Sequence, residues 1–296
     1  MNILITGISS FIGCNVGRHL SGAGHNVYGT VRNRAKLSGQ YKWLKKGFIH
    51  ELGDLPDLVM FEGVDLLIHF VHDFRPGRSE VNIRGTQELC LAAKKGGVDR
   101  QIFVSSYSAR QDAVSEYGKT KYALESFFSE ENGIILRPGL VLGNGGLFKR
   151  MVRLVLNFPV LPLLDGGVRP VPIIDVDTLC QAISVIVKYE LHESKEFNLF
   201  HHELVSLKYL LSQTRLVAER KTLFVNFPSK LLLVPLEFLQ KMGIRIPIST
   251  DNVRGYIVNK DDMYPSQLGR ILPDVPTVDL MISKAISQIL EGSICQ

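Results

Sequence analysis

Tyr117 and Lys121 stand four residues apart in Tyr117-Gly-Lys-Thr-Lys121. On a helix that spacing puts a phenol and an ammonium on one face. A free tyrosine, with a pKa of about 10, is a poor acid–base group near neutrality. A neighbouring ammonium favours the phenolate and lowers that pKa, which is the tuning that proton transfer needs. Ser105, Ser106 and Ser108 lie upstream, Ser106 and Tyr117 being 11 positions apart. Tyr-x-x-x-Lys alone is a common accident of sequence. Its weight comes from what precedes it.

The elements that must position this pair follow a βα rhythm. The first 140 residues alternate short β-branched runs with longer amphipathic ones, as a parallel sheet requires. Strands are expected at Asn2–Thr6, Asn26–Val31, Leu66–Phe70, Gln101–Ser105 and Gly133–Leu136, and helices at Gly13–Gly22, Val81–Lys95 and Tyr117–Ser129. Between the first strand and helix, Gly7 and Gly13 lie six apart. Such a turn lets backbone approach a pyrophosphate, and the helix N-terminus offers free N–H groups and a positive dipole end. At the end of the second strand a ribose 2′-hydroxyl calls for an acid and a 2′-phosphate for arginine. Thr30-Val31-Arg32-Asn33-Arg34 supplies two arginines and no acid. A guanidinium fork suits a phosphate dianion, so NADP(H) is favoured over NAD(H). Solvated surface arginines are the bland alternative.

These segments together resemble the extended short-chain dehydrogenase/reductase family, the NAD-dependent epimerase/dehydratase family of nucleotide-sugar type. Thr6-Gly7, Phe11-Ile12 and Gly13 match its TGxxGFxG fingerprint, with Ser10 in place of the middle glycine. Gly53-Asp54-Leu55 resembles its Gly-Asp-Leu element, Asn82-Ile-Arg-Gly85-Thr86 its NxxGT helix, and Arg137-Pro138 with Gly143 its RPxxxxG turn. The resemblance implies a Rossmann-type doubly wound parallel sheet with a smaller C-terminal substrate lobe. It implies Tyr117, Lys121 and Ser106 as catalytic residues, with Ser105 and Ser108 as rivals of Ser106. Cofactor contacts are expected from Gly7, Ser9, Ser10, Phe11, Ile12, Gly13, Arg32, Arg34, Asp54, Leu55, Asn82, Tyr117, Lys121 and Pro138. The short stretch from Ser106 to Tyr117 resembles atypical members, with a more open or idle site as its implication.

After Pro138 glycines and prolines crowd the chain, a helix is expected at Leu147–Leu156, Asp177 is expected to cap another, and Glu196–Phe200 reads as a strand. Residues 1–141 and 170–201 are assigned to an NADP-binding domain, and 142–169 and 202–296 to the substrate lobe. The 296 residues carry 34 Lys+Arg against 29 Asp+Glu, too mild a surplus to indicate nucleic acid. Cys14, Cys90, Cys180 and Cys295 are too widely spaced for a CxxC motif, and read as three core residues and one terminal thiol in a reducing compartment. His69, His72, His201 and His202 have no third ligand placed nearby, so no metal is proposed. Neither a signal peptide nor a membrane span is expected, and the location is cytoplasmic. The leading reading is 4-keto reduction of a nucleotide sugar by an NADP(H)-dependent oxidoreductase or epimerase, with a homodimer allowed by the resemblance. A reductase of another small, flavonoid-like ketone and a non-catalytic dinucleotide-binding scaffold or sensor are the alternatives.

Overall fold

The computed structural model describes residues 1–37, 41–189, 195–229, 249–258 and 264–292, with 231, 233, 235, 236 and 242. Thirteen strands occur among the described residues. They are β1 (Asn2–Thr6), β2 (Asn26–Val31), β3 (Lys46–Ile49), β4 (Leu66–His69), β5 (Gln101–Val104), β6 (Ile134–Pro138), β7 (Leu140–Leu142), β8 (Val160–Leu164), β9 (Pro170–Val171), β10 (Ile173–Asp175), β11 (Glu196–Leu199), β12 (Val205–Ser206) and β13 (Leu223–Phe227). The helices used below are α1 (Phe11–Gly22), α2 (Ser79–Lys95), α3 (Glu116–Glu130), α4 (Gly146–Asn157), α5 (Val176–Tyr189), α6 (Leu207–Val217), α7 (Thr250–Ile257), α8 (Leu268–Ile271) and α9 (Val278–Leu290).

Seven strands form one parallel sheet in the order β11-β6-β5-β4-β1-β2-β3. Such a sheet is covered on both faces, which is why its strands read as continuous apolar runs. Ile3, Leu4 and Ile5 are all fully buried, Ile3 and Ile5 facing a core shared with α1 and α5, Leu4 a core shared with α2. The chain order reverses between β1 and β4, so a crevice opens there beyond the carboxyl ends of the strands, the usual place for a ligand in this architecture. This is the Rossmann-type doubly wound sheet expected from the sequence. A separate apolar core gathers Phe148, Val152 and Val155 of α4, Leu161 and Leu163 of β8, Leu210 of α6, and Met281, Ile282 and Ile286 of α9.

One local expectation changes, and two further strand features carry no sequence signal. Asp175, not Asp177, caps α5: its Oδ1 accepts from the amides of Asp177 and Thr178, both at 3.1 Å, while Asp177 pairs with Lys284 at 2.7 Å. The edge strand β3 is half-exposed and only four residues long, so it carried little pattern. β8 and β13 pair in parallel although β8 contains Pro162, which an isolated two-stranded pair tolerates because proline sits on an edge. Cys14, Cys90 and Cys180 are buried, Cys90 and Cys180 as free thiols, whereas Cys14 is disulfide-bonded, which corrects its reading as a core thiol of a reducing compartment; Cys295 lies outside the described residues. Among the described residues no helix is long and apolar enough to cross a membrane.

His69, at the end of β4, is 1% exposed. Gln101 donates its amide to the carbonyls of Cys90 and Val98, which leaves its oxygen to accept from His69 Nε2 at 2.9 Å. Burial lowers the imidazole pKa to about 4. Between pH 6.5 and 4 the unfolded chain therefore binds a proton that the folded chain refuses, so stability falls as the pH drops through that window. Denaturant titrations should lose up to ~3 kcal/mol from this residue across it, and His69→Leu should reduce the slope.

Candidate active site

The N-terminus of α3 is fixed from two directions. Ser115 caps it by accepting from the Gly118 amide at 3.1 Å. Asp251, from α7, accepts from the amides of Glu116 at 2.6 Å and Tyr117 at 3.2 Å. Together they satisfy donors that the first helical turn cannot satisfy itself. Gly118 is required by close approach: a Cβ there would lie 2.5 Å from the Ser108 carbonyl oxygen. That contact presses the Ser106–Ser108 turn onto the helix. The short segment between Ser106 and Tyr117 is therefore not left open; α7 packs over it, with Arg110 donating to the Val258 carbonyl at 2.9 Å.

Tyr117, Lys121 and Ser106 come together at the carboxyl end of β5. The Ser106 hydroxyl bonds to the Tyr117 phenol and lies 3.0 Å from Ser108 Oγ, whereas the buried Ser105 hydroxyl is turned toward Glu125. The Lys121 amine, on a side chain 3% exposed, donates to the Val104 carbonyl at 2.8 Å. It sits 4.6 Å from the Phe103 ring centroid and 5.8 Å from that of Tyr117. Two aromatics that the sequence did not assign to this site enclose the phenol. His72 meets the Tyr117 ring edge-on at 4.9 Å, and Phe74 stacks on it at 5.6 Å.

The electrostatics correct one expectation. The ammonium does not lower the phenol here. Burial pushes Tyr117 up to about 12, against the opposing Ser106 hydrogen bond, and pushes Lys121 down to about 7, against the favourable charge of Glu125. Burial, and then the Lys121 charge, lower His72 to about 3, so its imidazole is neutral near pH 7. Desolvation outweighs the phenol–ammonium pairing because both groups have been removed from water together.

Across β1 lies the glycine turn. Gly7 has φ +69° and its would-be Cβ lies 3.2 Å from the Val71 backbone; at Gly13 a Cβ would be 2.7 Å from the Gly7 carbonyl oxygen. Ser10 has φ −75°, which any residue adopts, and its hydroxyl accepts from the Gly13 amide at 3.1 Å. The serine thus caps α1 instead of filling the turn. The first-turn amides of Phe11 and Ile12 have no acceptor within the helix, and Ser9 is exposed beside them. A dinucleotide pyrophosphate fits this arrangement, with Gly7, Ser9 and Ser10 in the turn and Phe11, Ile12 and Gly13 opening the helix. Arg32 and Arg34 are exposed just beyond β2, and Asp54 and Leu55 are exposed after β3.

Asn82 and Pro138 have structural partners. Asn82 accepts from the Asp73 amide at 2.7 Å and donates to the Asp73 carbonyl at 2.9 Å. Asp73 in turn binds Arg75 and Arg78, and Arg75 reaches Glu51. These guanidinium contacts hold the Asp73 carboxyl well below the usual range. The network fixes the loop that carries His72 and Phe74. Pro138 is buried in β6, and its carbonyl accepts from the Tyr107 amide at 3.0 Å. Asp251 lies too far along the chain for spacing to have linked it to Tyr117, and His72 was weighed only as a metal ligand.

A Rossmann-type parallel α/β sheet with a tyrosine, a lysine and a serine at its carboxyl edge is the arrangement of a dinucleotide-dependent oxidoreductase class. The model of the NAD dependent epimerase/dehydratase family matches residues 3–199, and the chain belongs to that family of enzymes. An uncharacterised oxidoreductase of Schizosaccharomyces pombe is 31% identical over 138 residues, covering 39% of this chain and 40% of that protein, so the chain spans well under half of that relative. In fold, the chain is similar to MoeE5 in complex with UDP-glucose and NAD, with a TM-score of 0.73 and 18% identity over 99% of this chain and 100% of that one. It is likewise similar to the triphenylmethane reductase of Citrobacter sp. complexed with NADP(H), with a TM-score of 0.74 and 17% identity over 96% and 100% of the two chains.

Replacing Asp251 by alanine should loosen the start of α3. Amide exchange at Glu116 and Tyr117 should speed up roughly five- to tenfold, the effect of losing about 1 kcal/mol of capping. Unchanged exchange at both amides would show that Ser115 holds the turn alone.

Proposed function

We propose that the protein is an NADP(H)-dependent reductase of a 4-keto nucleotide sugar. The observation that carries this reading is the convergence of Tyr117, Ser106 and Lys121 at one end of the sheet. A bound nicotinamide cofactor would supply the hydride. Tyr117 gives its proton to the carbonyl oxygen as charge develops there, and the Ser106 hydroxyl donates a hydrogen bond to the same oxygen. Lys121, beside the phenol on the same face of α3, would hold the ribose hydroxyls of the bound nicotinamide nucleotide. The glycine turn and the α1 N-terminus take the pyrophosphate.

Arg32 and Arg34 are the ligands of a 2′-phosphate, and no acid beside them favours the unphosphorylated cofactor. Asp54 and Leu55 take the adenine edge, while Asn82 and Pro138 act through the backbone they hold. Residues 1–141 and 170–201 bind the cofactor; 142–169 and 202–296 supply the sugar-nucleotide pocket. The UDP-glucose and NAD of the MoeE5 complex support the substrate class, and the NADP(H) complex of the triphenylmethane reductase, similar in fold, supports the phosphorylated cofactor. The reading carries a cytoplasmic homodimer.

A second reading, a reductase of a flat apolar ketone, is favoured by Phe74. It is 77% exposed and stacked beside Tyr117, so it offers an aromatic wall at the reacting phenol.

Titration with NADPH and NADH, followed by cofactor fluorescence, tests the cofactor assignment. NADPH should bind the more tightly, and Arg32→Ala should weaken NADPH selectively by about tenfold or more. Tighter binding of NADH would overturn the arginine assignment. Tyr117→Phe should retain NADPH binding and lose about a hundred- to ten-thousandfold in turnover of 4-keto nucleotide sugars. Turnover of aromatic ketones in preference to those sugars would favour the second reading.

A further inference from the structure

Tyr117, Lys121 and Glu125 recur at intervals of four and so occupy one face of α3. Glu125 is 4% exposed, which is unusual for a carboxylate. It does not lie there alone. Arg137 of β6 grips it with two hydrogen bonds, Nε to Oε1 at 2.9 Å and Nη2 to Oε2 at 2.8 Å. The remaining arm of Arg137 reaches Glu196 of β11 at 2.7 Å, and Glu196 is half in water. Two carboxylates and one guanidinium leave this array with one net negative charge, placed one helical turn from the Lys121 amine.

The surroundings of Lys121 offer it little else. Val104 accepts one of its protons and Phe103 lies under it. Tyr117 faces it from its own helix, as a neutral phenol. From β4 and the following loop come His69 and His72, both kept neutral near pH 7. Arg137 carries the other nearby positive charge, and it is spoken for by the two glutamates. Glu125 is the group whose charge favours the ammonium against desolvation.

We propose that Glu125 is a positioning residue that keeps Lys121 a cation, with Arg137 and Glu196 holding the Glu125 carboxylate in place behind it. The role rests on the reading of Lys121 as part of the reacting site, but it predicts a property of the protein without cofactor or substrate. Removing the carboxylate leaves Lys121 facing Arg137 across a neutral amide, so the ammonium becomes harder to keep.

The experiment is an NMR titration of the full chain carrying 13C-labelled lysine, following the Lys121 Cε signal assigned through bonds to its backbone. The wild-type signal should titrate near pH 7. Glu125→Gln should lower that midpoint by about one pH unit or more, and Glu125→Asp should recover most of the loss. Glu196→Gln, at a half-exposed position, should shift it the same way by less. A Lys121 midpoint that is unchanged in Glu125→Gln overturns the proposal. If that variant does not fold, Glu196→Gln decides: a downward shift supports the role and an unmoved midpoint overturns it. Because no turnover is read, an incorrect substrate assignment leaves this result standing, and an unmoved midpoint leaves the substrate assignment untouched.

Discussion

The arrangement turns on a lysine amine taken almost wholly out of water. Desolvating an ammonium costs several kcal/mol unless other groups replace its hydration. Here the replacements come from different strands. Val104 closes β5, Phe103 precedes it, Arg137 belongs to β6 and Glu196 to β11, while Glu125 shares α3 with the lysine itself. These strands must be neighbours in the order β11-β6-β5 for the chain of charges to connect, and the sheet has that order. The half of the sheet beyond β4 thus carries Tyr117, Ser106 and Lys121, while the half from β1 to β3 carries the glycine turn and the exposed Arg32 and Arg34.

The two halves are tied by backbone as well as by the sheet. Thr6, at the end of β1, accepts from the amides of Phe70 and Val71 after β4. The Asn82–Asp73 pair and the Asp73–Arg75–Glu51 bridge then bind the loop after β4 to the segment after β3. Asp73 and Asn82 are buried, and buried polar groups are costly when unpaired and rigid when satisfied. His72 and Phe74 consequently face Tyr117 from a braced loop.

The sequence disclosed the sheet better than the site. Fully buried parallel strands advertise themselves as apolar runs, so Asn2–Thr6 and Asn26–Val31 were legible to the residue. Edge strands such as β3 lack that signal. Tyr117, Lys121 and Ser106 could be read because local spacing and the order of strands fix them. The height of the Tyr117 pKa could not, since it depends on how much water the fold removes, which spacing does not encode. Asp251 was equally hidden: it is 134 positions from Tyr117, and only tertiary packing makes them neighbours. Asn82 was legible as a motif residue, but its use in fixing Asp73 required the loop to be seen.

Ser10 has a consequence for how such chains are recognised. Glycine is indispensable where the main chain turns left-handed, as at Gly7, or where atoms leave no space for a methyl group, as at Gly13. Ser10 meets neither condition, since its dihedrals suit any L-residue and its hydroxyl finds a use in starting α1. The middle glycine of the fingerprint is therefore an optional letter in this loop, while the outer two are spelled by the backbone. A pattern that demands all three would pass over a chain whose strand-to-helix turn is geometrically whole.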